Sequence, residues 1–192
     1  RFAFETSAWG KAMPIVCYLT EQHRQDDGDF SELLSAIRQN TFEAKHLIQI
    51  EKRKIIPELA PLNVPKLFSH NFDVDRVNDA TLDNLSSPVK TFVRSSRGPA
   101  NLVETLGRGC LSPENLALKV GAAVMFTKNN PRVGFANGTL GTVSGFSKMT
   151  GQPLVKIRTG LTIEVEPMEW TIEENGAVRA RITQVPLRLA WA

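Results

Sequence analysis

"LALKVGAAVMFT", residues 116–127, is where the character of the chain changes. Two short β-rich apolar runs stand on either side of Gly121, and further runs of the same kind follow: "GTVSGF", "LVKIRT", "LTIEVE" and "AVRARIT". Gly, Pro or Asn-Gly separates them at spacings of about ten residues, the pattern of a small antiparallel sheet or barrel. Asn137-Gly138 and Asn175-Gly176 are dipeptides favoured in tight hairpin turns, where both residues take positive φ. Val155, Ile157, Ile163 and Val165 alternate with Lys156, Arg158, Glu164 and Glu166, which predicts one buried face and one wet one.

Before residue 116 the pattern is different. Ile15 to Leu19 is a short apolar run of the type buried in parallel sheets, and it leads into the polar stretch "TEQHRQDDGDF". Asp29 is placed to cap a helix, with Glu32 three residues on and Phe30, Leu33, Leu34 and Ile37 on one face. A second helix is expected from about Phe42 to Arg53, ended by the three prolines of "PELAPLNVP". Lys66 to Ser69 reads as a strand. Asn71 is placed to cap a helix carrying Val74, Val77, Leu82 and Leu85, with Asn78 assigned to its polar side. Val89 to Val93 reads as a further strand, and "SRGPANLVETLGRG" as a loop with a helical turn or two. Alternating strands and helices predict an α/β layer.

Composition narrows the function classes. The 192 residues are 42% hydrophobic and 22% charged, the balance of an ordinary globular protein. No run approaches the roughly 20 apolar residues that cross a bilayer, and the first residues lack the features of a signal peptide, so an intracellular, cytoplasmic protein with no membrane partner is expected. Cys17 and Cys110 lack C-x-x-C spacing, and His23, His46 and His70 are scattered, so neither a disulfide framework nor a zinc site is indicated. A net charge of +3 and a pI near 9.0 are compatible with nucleic acid but do not demand it. The start on Arg1 and the stop inside "VPLRLAWA" read as those of a piece of a longer protein.

Several stretches, taken in order, resemble one family, the RecD-like and Pif-type DNA helicases of superfamily 1. They are "RFAFETSAW", "YLTEQHRQDDGDFSELLSAIRQ", "KLFSHNFDVDRVNDATLDNL", "LALKVGAAVMFTKNN", "FANGTLGTVSGF" and "QVPLRLAWA". The resemblance implies a partial second RecA-like domain over 1–115, with a parallel sheet and helices. It further implies return strands and a junction over 116–139, an inserted SH3-like β-barrel over 140–183, and a return strand over 184–192. The implied activity is ATP-dependent movement on single-stranded DNA, 5′ to 3′ as in the family. The implied partners are that DNA and a first RecA-like domain, and the implied cofactors are ATP and Mg²⁺.

The machinery that grips ATP is not in these residues. A phosphate loop needs G-x-x-x-x-G-K-[ST], and Gly10-Lys11 has no glycine at the required distance before it. Asp26-Asp27 sits in a loop and not at the end of an apolar strand. The chain alone is therefore expected to hold no nucleotide and to be inactive. Arg24 resembles the arginine that reaches across the cleft between motor domains to the γ-phosphate. A guanidinium suits that task because it is always charged and donates in a fork that fits phosphate oxygens. Gln22 and Gln25 join it in the nucleotide-side set that the resemblance implies, and His23 is read as a loop-orienting neighbour. The alternative for Arg24 is an exposed ion pair with Asp26, Asp27 or Asp29.

His70, Asn71 and Asn78 match the family's DNA-side motif, where amides and an imidazole can hold phosphates without reading bases. Lys128 and Asn129, with Asn130 and Arg132, form a polar basic turn read either as a DNA contact or as a solvated loop. Trp9, Trp170 and Trp191 are read as core or interface anchors in preference to base-stacking platforms. A second functional reading remains open: a stand-alone module whose C-terminal sheet binds a protein or nucleic acid without catalysis.

Overall fold

The computed structural model describes residues 2–18, 27–54 and 66–192. The chain divides into two compact units, Arg1–Ala60 and Pro61–Ala192.

The first unit is helical. A 3₁₀ turn, Ala3–Glu5, precedes α1 (Ser7–Ala12), α2 (Gly28–Gln39) and α3 (Ala44–Glu51). The cap of α2 is Asp27 and not Asp29, because the Asp27 carboxylate accepts from the Phe30 N–H at 3.1 Å. Asp29 falls inside the first turn, where its charge complements the helix dipole. The expected strand at Ile15 is absent: residues 13–18 have no regular structure, and Ile15 is 91% exposed. An extended run becomes a strand only by pairing, and none of residues 13–18 has a strand partner among the described residues.

The second unit holds α4 (Asn71–Asp83), β1 (Lys90–Val93), β2 (Ser95–Arg97), α5 (Ala100–Gly109), β3 (Asn115–Leu118), β4 (Ala123–Phe126) and β5 (Leu140–Phe146). There follow β6 (Pro153–Ile157), β7 (Thr162–Glu164), β8 (Met168–Glu174), β9 (Ala177–Gln184) and β10 (Leu187–Leu189). The expected mixture of helix and sheet is present. Its pairing, however, is antiparallel throughout the described residues, in sheets ordered β10-β4-β5-β6-β7, β2-β9-β8 and β1-β3. Among the described residues no closed barrel forms, since β7 pairs there only with β6 and β10 only with β4, which leaves the five-stranded sheet open. Of the strand expected at Lys66–Ser69, one backbone bond remains, from Lys66 N–H to the Trp191 carbonyl at 3.0 Å.

The core follows the alternation in the sequence. Val155, Ile157, Ile163 and Val165 are buried, while Lys156, Arg158, Glu164 and Glu166 are exposed. Leu118, Ala122, Val124 and Phe126 complete the interior, with Phe135 stacked on Phe126 at a ring distance of 4.1 Å. Gly141 permits the close approach of β5 to β6, because a Cβ there would lie 2.5 Å from a Val155 methyl. Asn175-Gly176 takes two positive φ values, as expected of its hairpin, whereas at Asn137-Gly138 only the glycine does. There Thr139 closes the turn, donating its N–H to the Ala136 carbonyl and accepting from the Ala136 N–H. The segment read as a loop after Arg97 is the ten-residue helix α5, which lays Leu102, Val103 and Leu106 against β8 and β9.

Candidate nucleic-acid interface

α4 forms because Val74, Val77, Thr81 and Leu82 recur at helical spacing and turn inward. The residue before it, His70, is extended (φ −129°, ψ 136°), so Asn71 is the first helical residue and not the cap assigned to it. His70 shares a hydrogen bond with Ser69 Oγ at 2.9 Å, and both His70 and Asn71 are exposed. The opening turn of any helix leaves N–H groups without intrahelical acceptors, and those groups favour anions.

Asn78 is elsewhere than expected. It lies on the inward face of α4 and is only 3% exposed. Its Oδ1 accepts from the N–H groups of Trp191 (3.0 Å) and Ala192 (3.1 Å), and its Nδ2 donates to the Leu189 carbonyl at 3.4 Å. Its Nδ2 also lies 3.4 Å from the Ala192 carbonyl, so both ends of the amide have partners within the protein.

Beside Asn71 lies an open cleft of about 530 Å³, with Asp75 and Asp79 on the α4 side, Arg108 at the end of α5 and Arg188 on β10. Arg108 is held by Glu104 at 2.6 Å, while Arg188 has no ion pair among the described residues. The two arginines favour a polyanion and the two aspartates oppose it, so an anion is drawn toward the arginine side. Arg188 was missed in the sequence, although its place between Leu187 and Leu189 puts it on the opposite face of the strand from them.

The basic turn is a separate feature. Lys128 lies over the Trp170 ring at 4.7 Å and donates to the Glu169 carbonyl, which fastens the turn after β4 to β8. The Asn129 side chain accepts from the Asn137 N–H at 2.7 Å, holding the turn closed. Asn130 bridges to Phe135, and Arg132 is exposed. Lys128 and Asn129 therefore have internal partners, and one face of Trp170 is covered. Trp191 packs against the core, in keeping with its reading as an anchor.

On the nucleotide side, Gln22, His23, Arg24 and Gln25 lie outside the described residues. Asp27, one of the carboxylates that could have paired with Arg24, caps α2 and meets Arg53 at 3.4 Å. Gly10-Lys11 lies within α1 and forms no loop. Among the described residues no group of three His, Cys, Asp or Glu side chains could hold a metal ion. No described helix is long and apolar enough to cross a membrane.

Comparison with known proteins bears on these arrangements. Residues 101–146 match the family described as DNA helicase Pif1, 2B domain. The whole chain aligns with human ATP-dependent DNA helicase PIF1 at 32% identity over 197 residues, covering 30% of that protein. Pif1 helicase from Candida albicans is 29% identical, with a TM-score of 0.68 over 99% of this chain and 49% of that one. Over its whole length the chain is similar to one segment of the Pif1 DNA helicases. It spans 30–38% of the length of the first curated relatives it matches. A Bacteroides Pif1 in complex with ADP-AlF3 and ssDNA is also similar to this chain, with 24% identity and a TM-score of 0.55 over 90% of this chain and 41% of that one. At that identity the likeness concerns the fold. The family match falls across α5 and on through β3, β4 and β5, so it covers the switch of pattern at residue 116.

Proposed function

We propose that this segment works within an ATP-dependent DNA helicase that moves 5′ to 3′ along single-stranded DNA, inside the cell. The observation that carries the reading is the end-to-end alignment with proteins named ATP-dependent DNA helicase PIF1. The division carried with it is a second RecA-like domain over 1–115, a junction over 116–139, an inserted SH3-like subdomain over 140–183 and a return strand over 184–192. Within 140–183, β5, β6 and β7 belong to the five-stranded sheet and β8 and β9 to the three-stranded one, with no closed barrel among the described residues.

His70, Asn71 and the opening turn of α4 contact the DNA backbone in this reading, with Arg188 drawing phosphates toward the cleft. Such contacts track any sequence, because they touch phosphate and not base edges. ATP and Mg²⁺ are held by a first RecA-like domain, and Arg24 reaches the γ-phosphate when the two motor domains close. The described residues do not fit the nucleotide by themselves, so the 192-residue chain is expected to be inactive alone.

Two measurements test this. In a helicase containing the segment, Arg24→Ala should leave ATP binding in place while slowing hydrolysis by about 10³- to 10⁵-fold, the range typical of such arginines. Turnover within a few-fold of the parent would end the arginine assignment. For the 192-residue chain, binding to an oligo-dT strand should weaken as salt rises, since each phosphate contact releases counterions.

A further inference from the structure

The Asn78 amide has a use that goes beyond packing. β10 is held by β4 as far as Ala190, whose N–H donates to the Ala123 carbonyl at 2.9 Å. Past that point the pairing of β10 with β4 ends. The next two N–H groups, of Trp191 and Ala192, are both taken by the single Oδ1 of Asn78, and the Nδ2 of the same side chain returns to the Leu189 and Ala192 carbonyls, each at 3.4 Å. One side-chain amide thus serves those two N–H groups with an acceptor and returns a donor, as a peptide group would, while the Trp191 carbonyl accepts from the Lys66 N–H at 3.0 Å. Few side chains could do this from a helix at this depth. Aspartate lacks the donor, serine is too short, and alanine has neither group.

α4 is a continuous helix, and Asn78 stands seven residues, about 10 Å, along it from Asn71. A shift of the backbone at 189–192 is therefore passed through this amide to the end of α4 that carries His70 and Asn71. We propose that Asn78 is a positioning residue that ties the DNA-facing end of α4 to the backbone of residues 189–192, so that helix and strand end move as one body. This rests on the reading above that His70 and Asn71 meet the DNA. Asn78 itself touches no DNA. It acts through the residues at the end of its helix.

The 192-residue chain, its Asn78→Ala and Asn78→Asp variants, and Asn71→Ala alone and in each background provide the test. Amide hydrogen exchange reads the clamp. In Asn78→Ala the Trp191 and Ala192 amides should exchange about tenfold faster while the inner turns of α4 keep their protection. Asn78→Asp keeps both acceptor bonds and should keep those two amides slow, which also serves if the alanine variant does not fold. Unchanged exchange in Asn78→Ala, or lost protection in a folded Asn78→Asp, overturns the clamp. Fluorescence anisotropy with oligo-dT reads the coupling: Asn71→Ala should weaken binding about fivefold in the parent chain and less than twofold beside Asn78→Ala. Strictly additive losses overturn the positioning role, because a side chain that merely supports the fold gives no such coupling. If the parent chain binds no oligo-dT, the DNA reading and the positioning role fall together, and the exchange data still judge the clamp on their own.

Discussion

The helix pair α2–α3 and the five-stranded sheet both carry large apolar side chains and use them differently. In the sheet, Leu118, Ala122, Val124, Phe126, Val155 and Leu187 are at or near zero exposure. In the helix pair, Leu33 and Ala36 are the buried apolar residues, while Ile37, Leu47 and Ile48 are 55%, 49% and 53% exposed. What fixes the helix pair locally is largely polar: the Asp27 cap, the Glu32–Lys45 ion pair at 2.7 Å, and the buried His46. His46 Nδ1 accepts from the Glu43 N–H at 2.9 Å and so holds the start of α3 from within. The sheet is thus held by non-directional burial that scales with area, and the helix pair by a few directed contacts. Damage to single residues should be ranked accordingly.

The largest loss is expected at Phe126. Its ring is fully buried and stacked on Phe135, and Phe126→Ala removes both partners' contact and leaves a cavity, at a cost of about 3–5 kcal/mol. Urea unfolding followed by tryptophan fluorescence measures this. A loss below about 1 kcal/mol would break the contrast, because it would mean that the sheet does not depend on its interior.

An intermediate loss is expected where a polar group does for the second unit what apolar burial does in the sheet. Gln184, 2% exposed, donates to the carbonyls of Phe92, Pro113 and Glu114 and accepts from the Val185 N–H. Those partners belong to β1, to the loop before β3 and to the end of β9, so one amide joins them. Gln184→Leu fills the space but strands buried backbone groups, at a cost of about 2 kcal/mol. If the same unfolding measurement places it above Phe126→Ala, the junction outweighs the core and the ranking must be reversed.

How much of this was legible depends on how local the cause is. The alternation from Val155 to Glu166 and the Asn175-Gly176 hairpin are written in neighbouring residues, and the structure has them as read. The cap of α2 was legible to within two residues, with the choice between Asp27 and Asp29 decided by which carboxylate meets an N–H three positions on. Closure of the barrel was not legible, because it depends on whether two strands far apart in sequence meet, and β7 and β10 do not. Asn78 could have been placed. It stands four residues from both Val74 and Leu82, which puts it on their face, and its polarity alone suggested otherwise. What no pattern showed was the partner it would find there, 113 residues away. The resemblance supplied the DNA-side and nucleotide-side residues, and spacing alone would have supplied neither.

The smallest effect is expected at the exposed ion pair of the helix unit, and its sign can be worked out. The Lys45 ammonium, by hydrogen bond and charge, holds the Glu32 carboxyl below its ordinary value of 4.5. Glu32 in turn raises the Lys45 ammonium above its ordinary 10.5. A carboxyl lowered on folding stabilises the fold in full above 4.5, and that contribution is lost as pH falls through the lowered value. An ammonium raised on folding stabilises in full below 10.5 and loses its contribution as pH rises through the raised value. The pair therefore acts across the neutral range and fades at both ends. Both groups are open to solvent, so salt screens the attraction and the effect on unfolding is small. NMR titration of the Glu32 carboxyl carbon reads it directly: Lys45→Met should return Glu32 toward its ordinary value, and so should added salt. An unmoved titration in Lys45→Met would show that the polar contact does not hold α2 to α3, and the helix pair would then have to be explained, like the sheet, by what little it buries.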